Sequence, residues 1–288
     1  MIIVNRRQAL AVLMGAASAA SGTTAFAQNK MKIAFILNGT PGDVGWNFEH
    51  ARGIAMAEAA YGDQVQIDSF YGVNEWGKGD ADKILELILG GYDLVFACSY
   101  GYGQSLLQMA LAAQSVKFEH CGGFVRADNI ATYSARWYEG RVPQGLIAGA
   151  ATKTNRIGYL ASFQIPQVVR GINAAYAAAK SVNPDVEFDV VWLKTWFSPA
   201  EEEAISNLLI DRGADVLMAH TNTTKPTEVA EARGALVFGQ ASDMAEYGPK
   251  PRVSSIIDDW APYYIARTQA VMDGTWESKS TWDGIGAG

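Results

Sequence analysis

The segment Leu87-Ile-Leu-Gly-Gly-Tyr-Asp-Leu-Val-Phe-Ala97 contains the end of a helix, a glycine turn, an aspartate and a short apolar strand. The same order recurs in Leu209-Ile-Asp-Arg-Gly-Ala-Asp-Val-Leu-Met-Ala219. Two strand openings, Lys32-Ile-Ala-Phe-Ile36 and Arg156-Ile-Gly-Tyr-Leu160, match at nearly the same offset. Two matches at a consistent offset indicate a duplicated unit of alternating strands and helices.

The chain around these segments continues the alternation of short apolar runs with longer helical stretches. That alternation is typical of parallel sheets with helices on both faces, so we predict an α/β protein with two doubly wound lobes. The predicted strands span residues 32–37, 65–70, 93–97, 117–121, 132–137, 156–160, 188–193, 215–219 and 235–238, with a strand-like stretch at 253–257. The predicted helices span residues 48–61, 81–89, 105–113, 143–151, 166–181, 199–211 and 262–272.

The composition is that of a globular protein. Of the 288 residues, 49% are apolar and 18% are charged, a balance that buries a large core and excludes intrinsic disorder. The formal charge is -7 without a long basic run, which argues against a nucleic-acid partner because phosphate binding needs clustered Lys and Arg. The two cysteines, Cys98 and Cys121, either form a disulfide in an oxidising compartment or remain buried thiols.

Residues 1–27 are predicted to form a secretory signal peptide. Arg6 and Arg7 supply the positive start, the following residues are small and apolar, and Ala25-Phe-Ala27 is a typical cleavage site. The paired arginines are loosely similar to a twin-arginine export signal. No further stretch is long and apolar enough to span a bilayer, and no cysteine near the cleavage site offers a lipid anchor. We therefore expect export from the cytoplasm without a direct membrane anchor.

The loops that follow the predicted strands are the expected ligand-binding surface. Doubly wound sheets bind ligands outside the carboxyl ends of their strands, and in a two-lobed molecule these ends face each other across a cleft. The loops are rich in aromatic rings beside amide and carboxylate groups. The candidate residues in them are Trp46, Asn47, Tyr100, Tyr102, Trp196, Phe197, Asn222 and Asp243.

Trp46 stands at the mouth of the first predicted helix, in Gly42-Asp-Val-Gly-Trp-Asn47. It is either a core anchor or an aromatic plate for a flat ligand, and stacking contributes about 1–3 kcal/mol when that ligand is a nucleobase. Trp196 occupies the corresponding loop of the second half, just before the helix that begins at Pro199. If the lobes close on each other, one indole comes from each side.

The sequence lacks the motifs of common enzymes and metal sites. His50, His120 and His220 are widely separated, and neither His-Glu-x-x-His nor Cys-x-x-Cys occurs, so we predict no metal. Phosphate-binding glycine loops and the Gly-x-Ser-x-Gly elbow are also missing, so we predict neither a cofactor nor an enzyme. The adjacent Asp258 and Asp259 are expected to cap the next helix, since a catalytic carboxylate pair there would have no supporting partner.

Short motifs in a characteristic order run along the whole chain after the signal peptide. They are Lys32-Ile-Ala-Phe-Ile36, Asp43-Val-Gly-Trp-Asn47, Glu139-Gly140, Ala150-Ala-Thr-Lys-Thr-Asn-Arg-Ile-Gly158, Ile165-Pro166, Trp196 before Ser198-Pro199, Gly213-Ala-Asp-Val216 and Val253-Ser-Ser-Ile-Ile257. Together they resemble the periplasmic substrate-binding proteins of the basic membrane protein (BMP) family, which serve ABC transporters for nucleosides and related bases.

The resemblance implies a type I periplasmic-binding fold, in which hinge crossings join the two lobes. Lobe 1 would comprise residues 31–134 and 258–288, and lobe 2 residues 135–257. The family continues beyond a segment like residues 282–288 with a further crossing and a terminal helix. We expect that helix to be missing here and the stability to be lower than in a family member that has it.

The resemblance also implies a ligand. Family members clamp a purine between one aromatic ring from each lobe, which implies Trp46 and Trp196 here, with Asp43 and Asn47 beside the base. We therefore expect a monomeric periplasmic protein that captures a purine without covalent chemistry and delivers it to a membrane ABC permease.

Two departures from the family pattern bear on the choice of ligand. Ala241 stands where an aspartate usually lies near the sugar, and Asp258, which we include among the binding residues, stands where a lysine is usual. Both changes remove groups suited to ribose, so we expect a free, adenine-like base. The alternatives are a purine nucleoside-binding protein of the same type, an extracytoplasmic enzyme acting on nucleobases or nucleosides, and a sensor subunit that docks on a receptor.

Overall fold

A computed structural model describes residues 30–250 and 252–287. The predicted signal peptide, residues 1–27, lies outside the described residues. The described chain forms one sheet of six strands and one of five, and the strands in both are parallel. Within these residues no helix is both long enough and apolar enough to cross a membrane.

The eleven strands are divided between the two sheets in blocks. The first sheet contains β1 (Met31–Ile36), β2 (Val65–Phe70), β3 (Leu94–Ala97), β4 (Lys117–Cys121) and β5 (Ile130–Ala135). The second contains β6 (Arg156–Ala161), β7 (Glu187–Trp192), β8 (Val216–His220), β9 (Leu236–Gly239) and β10 (Arg252–Ser255). The last strand, β11 (Ser280–Asp283), returns to the first sheet.

The strand order is the same in both halves. It is β2-β1-β3-β4-β5-β11 in the first sheet and β7-β6-β8-β9-β10 in the second. The helices between the strands are α1 (Trp46–Tyr61), α2 (Asp80–Leu89), α3 (Gly103–Ala110), α4 (Trp137–Ala151), α5 (Pro166–Val182), α6 (Pro199–Asp211), α7 (Lys225–Arg233) and α8 (Ala261–Met272). The shared order is what a duplicated unit requires.

Both faces of the first sheet are buried. On one face Phe35 and Phe96 stack at 4.5 Å between ring centroids, and each meets Tyr264 of α8 at 4.8 Å. On the other face Ile84 of α2 and Leu106 of α3 belong to a second apolar cluster. Each fully buried side chain of this size stabilises the fold by about 1.5–3 kcal/mol. Helices on both faces of parallel sheets confirm the predicted doubly wound lobes.

The aspartate of the duplicated segment has the same structural role in each half. Oδ2 of Asp93 accepts a hydrogen bond from the backbone N–H of Lys32, in β1, at 2.8 Å. Asp215, just before β8, accepts hydrogen bonds from two residues that precede β6: the backbone N–H of Lys153 at 2.6 Å and Oγ1 of Thr152 at 2.5 Å. In both halves the aspartate therefore ties the chain entering the first strand to the strand beside it.

The structure differs from the sequence-based predictions at three elements. Neither β11 nor α7 (Lys225–Arg233) is predicted, because β11, Ser-Thr-Trp-Asp, is an edge strand exposed at three of its four residues without an apolar run, and α7 is a short, mostly polar helix. α4 begins at Trp137, whereas the predicted start is Pro143, which is instead inside the helix. Proline favours the first turn of a helix, but the buried indole of Trp137 anchors the earlier turns.

The chain crosses between the two sheets after β5 and again after β10. After the first crossing α4 packs against α5 of the second lobe, and after the second α8 packs against α1 of the first. The exact boundaries of the lobes stay a prediction. They are residues 31–134 with 258–288 for lobe 1 and residues 135–257 for lobe 2.

We predict that Asp215→Asn lowers the free energy of unfolding by about 1–3 kcal/mol near neutral pH, because an amide cannot replace the carboxylate as acceptor for all its donors. Partial burial alone would raise the pKa of Asp215, but hydrogen bonds from Thr152, Lys153 and Thr154 hold it below its usual range. A lowered folded-state pKa gives stability that is present above the unfolded-state pKa and lost as the pH falls through the folded-state value. Urea unfolding at neutral and acid pH should show the difference from wild type shrinking in acid.

The matched control for this test is Asp185→Asn, which changes an exposed carboxylate. It should leave the unfolding midpoint nearly unchanged at both pH values. Equal destabilisation by the two variants would contradict the assigned role of Asp215.

Candidate functional site

A cleft lies where the loops of the two lobes meet. Its volume is about 450 Å³, within the range typical of small-molecule sites. A smaller space, called the recess below, adjoins the cleft and measures about 20 Å³, which is room for about one water molecule. The cleft and the recess share three lining residues, Asn38, Trp196 and Asn222.

The recess combines aromatic rings with uncharged polar groups. Trp46, Tyr100 and Trp196 line it. Its polar side chains, besides the Ser99 hydroxyl, are one imidazole and four amides: His220, Asn38, Gln167, Asn222 and Gln240. Burial, with the nearby Arg141 charge, lowers the pKa of His220 to about 3, so this imidazole is neutral. No Asp, Glu, Lys or Arg is among the described residues that line the recess. Such a lining suits a flat, neutral ligand with polar edges.

Trp46 begins α1 and is held in an aromatic cluster. Its Nε1 donates a hydrogen bond to the carbonyl of Cys98 at 2.8 Å. Its ring meets those of His50 and Trp260 edge-on, with centroids 4.5 and 5.5 Å apart. Trp46 nevertheless stays half-buried and lines the recess. The two interpretations that the sequence leaves open, core anchor and aromatic plate, are therefore compatible.

Trp196 lies between β7 and α6 and connects the two lobes. Its Nε1 donates a hydrogen bond to Oε1 of Glu75, a first-lobe residue, at 2.7 Å. Its ring packs edge-on against Phe163 at 5.0 Å. Trp46 and Trp196 thus line one recess from different lobes, and no ring contact joins the two indoles in the part of the chain that the structure describes.

Glu75 is a cleft residue that the sequence reasoning missed. Its buried carboxylate accepts hydrogen bonds from Oγ of Ser99 and, at 3.1 Å, from the backbone N–H of Gly101, as well as from Trp196. The residue lies in the loop after β2. Like the loops of the expected ligand-binding surface, this loop follows the carboxyl end of a parallel strand. That position is the sequence signal that could have identified Glu75.

Strained backbone occurs in the loops around the site. Val44, Trp76 and Ala241 have φ values of 55°, 65° and 67°, in the left-handed region that bulky residues rarely adopt. Trp76 lines the cleft and packs against Phe163 of the other lobe at 5.7 Å, whereas Ala241 lines the recess. Such conformations cost about 1–3 kcal/mol each and are typical of ligand-binding loops.

Asp43 and Asn47, both predicted to lie beside the ligand, line the cleft but use their polar atoms within the protein. The Asp43 carboxylate accepts hydrogen bonds from the backbone N–H groups of Gly45, Asn47 and Phe48 at 2.9, 3.0 and 3.1 Å, which the start of α1 would otherwise leave unpaired. Nδ2 of Asn47 donates to Asp43 at 2.7 Å, and its Oδ1 accepts from Gly39 at 3.3 Å. Burial raises the pKa of Asp43, and these hydrogen bonds oppose the rise. The pair therefore fixes the start of α1 and the indole that begins it.

Tyr100 and Tyr102 lie in one short turn but in different surroundings. Tyr100 lines the recess and packs against Phe124 at 4.7 Å. Tyr102 is fully buried in the first-lobe core, where its hydroxyl donates a hydrogen bond to the carbonyl of Val73 at 2.8 Å. The structure brings Tyr100 to the candidate site and leaves Tyr102 away from it.

Two second-lobe residues predicted for the site also separate. Asn222 lines both the cleft and the recess, and its backbone N–H donates to the carbonyl of Trp196 at 2.9 Å. Asp243 lines neither space and pairs with Arg252 at 2.7 Å. The hydrogen bond from Arg252 holds the pKa of Asp243 below its usual range. Asp243 therefore stabilises its own loop.

Asp258 is buried and lines neither the cleft nor the recess, but a separate cavity of about 450 Å³ that Trp137 and Trp260 also line. Its Oδ1 accepts a hydrogen bond from Nε1 of Trp137 at 2.8 Å, while its backbone N–H donates to the carbonyl of Ala241 at 2.8 Å. Its Oδ2 has no hydrogen-bond partner among the described residues. At the start of α8 it is Asp259 whose carboxylate accepts from the backbone N–H of Ala261, at 3.2 Å.

Within the described residues, the structure shows the state of both cysteines and the distribution of potential metal ligands. Cys98 and Cys121 are both buried free thiols, which decides between the two states that the sequence leaves open. Burial raises the pKa of the Cys98 thiol to about 12. No group of three or more His, Cys, Asp or Glu side chains suited to a metal ion occurs in residues 30–250 and 252–287.

The chain is similar to a known protein family, to individual proteins and to solved structures. The model of the family described as ABC transporter substrate-binding protein PnrA-like matches residues 30–288. A purine-binding protein of Brucella abortus is 41% identical over 268 residues, covering 93% of this chain and 76% of that protein. A Haloferax volcanii protein named for ABC-transporter glucose binding is 31% identical, covering 86% of this chain and 62% of its own length. A solute-binding protein structure from Aeropyrum pernix K1 superposes with a TM-score of 0.78 at 19% identity, covering 88% of this chain and 74% of that one.

We predict that Asp258→Asn makes the protein more stable than wild type above neutral pH, by about 1–4 kcal/mol. Burial raises the pKa of Asp258 to about 7, so the folded state retains a proton that the unfolded chain releases near pH 4. Between these values the unfolded state binds fewer protons, and wild-type stability falls as the pH rises. The amide keeps an acceptor for Trp137 and carries no charge to desolvate.

The measurement is urea unfolding across this pH window, with Asp185→Asn as the exposed-carboxylate control. Part of the pH dependence should persist in the variant, because burial also raises the pKa of Glu49 to about 7. An Asp258→Asn variant whose stability follows the wild-type pH profile throughout would show that this carboxyl is not the titrating group.

Proposed function

We propose that this chain, which belongs to the family of PnrA-like ABC transporter substrate-binding proteins, captures a purine base in the recess and passes it to a membrane permease. The membership confirms the resemblance to the basic membrane protein family, and the similar solved structures confirm the type I periplasmic-binding fold. Because members of this family bind solutes, we propose capture and release without catalysis.

The observation that carries the proposal is the lining of the recess. One indole from each lobe provides apolar surface for a planar ring, and aromatic stacking contributes about 1–3 kcal/mol per base. The neutral amides can donate to or accept from the ring nitrogens at its edges. Because an unmatched buried polar group costs about 1–3 kcal/mol, these amides also select among flat ligands.

We propose a free, adenine-like base over a nucleoside. Ala241 offers no polar side chain to a ribose, and Asp258 does not line the recess but accepts a hydrogen bond from Trp137. The 41% identity to a purine-binding protein supports a purine. A nucleoside of the same purine is the alternative within this class, and an extracytoplasmic enzyme acting on a nucleobase is the alternative outside it, distinguished by product formation.

Entry of a base requires the lobes to separate. The recess has room for about one water molecule. Beside it, two hydrogen bonds join loops of the two lobes: Trp196 to Glu75, and the Ser242 hydroxyl to the carbonyl of Val44. We propose that these contacts break on opening and that the lobes, residues 31–134 plus 258–288 and residues 135–257, then close around the base in a recess wider than the present one. The closed pair then presents a new surface to the permease.

We further propose that the mature protein acts in the periplasm as a monomer, after removal of residues 1–27. The proposed location rests on the predicted export signal and on the family, whose members are substrate-binding proteins of ABC transporters.

We predict that Trp46→Ala and Trp196→Ala each weaken purine binding by about 5- to 150-fold, which corresponds to the loss of about 1–3 kcal/mol of stacking. Isothermal titration calorimetry with adenine measures the change, and circular dichroism checks that each variant is folded. Trp282→Ala is the matched control, since Trp282 lies in β11 and does not line the recess. Unchanged affinity in both test variants would end the two-indole proposal.

We also predict that calorimetry of the wild type ranks adenine above adenosine. The recess offers uncharged groups to the base but lacks a carboxylate or ammonium group for the sugar. Glucose serves as the comparison ligand, because a relative is named for glucose binding. Tighter binding of adenosine would favour the nucleoside alternative, and glucose binding without purine binding would overturn the proposal.

A further inference from the structure

Arg141 is a buried cation that has no carboxylate within ion-pair distance in the part of the chain that the structure describes. The side chain lies on α4 and is fully buried, and no ion pair involves it among the described residues. Its Nη1 donates to Oε1 of Gln144 at 2.9 Å, and its Nη2 donates to the carbonyl of Ala219 at 2.5 Å and to Oε1 of Gln240 at 2.6 Å. All three hydrogen-bond partners are neutral. Burial lowers the pKa of Arg141, and the nearby Tyr159 and Asp258 oppose this from beyond hydrogen-bond distance.

This arrangement fixes which end of the Gln240 amide faces the ligand. A guanidinium group has only donors, so it must be met by the amide oxygen. The Gln240 side chain is buried and lines the recess, and its Nε2 has no hydrogen-bond partner in the described parts of the chain. Gln240 therefore presents its N–H donors to the recess, and the cation behind it polarises the amide and strengthens them.

In the other lobe, the buried Glu75 fixes the Asn38 amide in the opposite orientation, so that the amide oxygen faces the recess. The Ser99 hydroxyl donates its proton to Glu75, so the Ser99 oxygen can only accept from its other neighbour. That neighbour is Nδ2 of Asn38, at 3.3 Å. With its amino group held in this way, Asn38 is left with Oδ1 as an acceptor in the recess.

We infer that Arg141 and Glu75 are positioning residues, which make Gln240 a hydrogen-bond donor and Asn38 a hydrogen-bond acceptor toward the bound ligand. The inference rests on the proposed function and adds a specificity rule to it. The ligand is a neutral planar heterocycle that carries an unprotonated ring nitrogen or a carbonyl oxygen for Gln240 and an N–H group for Asn38. Adenine carries both kinds of group.

The sharpest test is Gln240→Glu. This substitution retains the volume and the oxygen that meets Arg141, but it replaces the N–H donor in the recess with an acceptor. Calorimetry with adenine should show affinity reduced at least about tenfold, because the new carboxylate oxygen then faces an acceptor atom of the base.

Gln144→Glu is the matched control. It places the same negative charge on the same guanidinium, but Gln144 lies outside the recess and donates instead to the carbonyl of Gly239 at 3.1 Å. Its adenine affinity should stay within about threefold of wild type, a small change on the tenfold-per-1.4 kcal/mol scale. Adenine binding by Gln240→Glu that is as tight as wild type, or equal losses in both variants, would overturn the inference.

A second measurement needs no ligand. Thermal unfolding near neutral pH should rank Gln240→Glu above wild type, since Arg141 gains a carboxylate, and Gln240→Met below it, since the guanidinium loses an acceptor. If wild-type protein binds no purine while this ranking holds, the proposed function fails and the positioning role of Arg141 stands. If Gln240→Glu is no more stable than Gln240→Met, the positioning role fails whatever the ligand is.

Discussion

The hydrogen bond from the Trp196 indole to Glu75 joins the two lobes at 2.7 Å, and the geometry of the candidate site depends on it. A hydrogen bond to a charged group contributes about 1.5–3 kcal/mol, more than most neutral ones. Glu75 also accepts from Ser99 and Gly101 of its own lobe, so it is fixed before the other lobe arrives. In the proposed closure, this hydrogen bond places the second-lobe indole at a defined point of the recess.

The groups that line the recess are neutral, whereas Asp43, Glu75 and Lys78 line the cleft beside it. Buried charged groups next to the recess orient its amides. Glu75 and Arg141 do this for two amides. In the second lobe, Thr221 and Thr223, the neighbours of Asn222, both donate to the Glu202 carboxylate at 2.7 Å. Buried charges that are held by several hydrogen bonds make a site rigid without presenting a net charge to the ligand. This organisation suits an uncharged ligand with polar edges.

The sequence was sufficient to predict the fold, because strands buried on both faces leave uninterrupted apolar runs and the duplication repeats them. The site was predictable only in part. Composition points to the loop that holds Tyr100 and Tyr102, but which ring faces the cleft depends on the turn between them. The pairing of Asp243 with Arg252 removes a predicted residue, and Glu75 acquires its role through a partner 121 residues away. Such partners are set by the three-dimensional fold and have no local pattern.

The proposed function therefore depends on where the ligand lies. A crystal structure of the protein grown with adenine tests this most directly. The account predicts the base in the recess, with the Trp46 and Trp196 rings against its two faces and an acceptor of the base within hydrogen-bonding distance of Gln240 Nε2. A base bound in the outer cleft without contact to Trp46, or at a site away from both lobes, would contradict it.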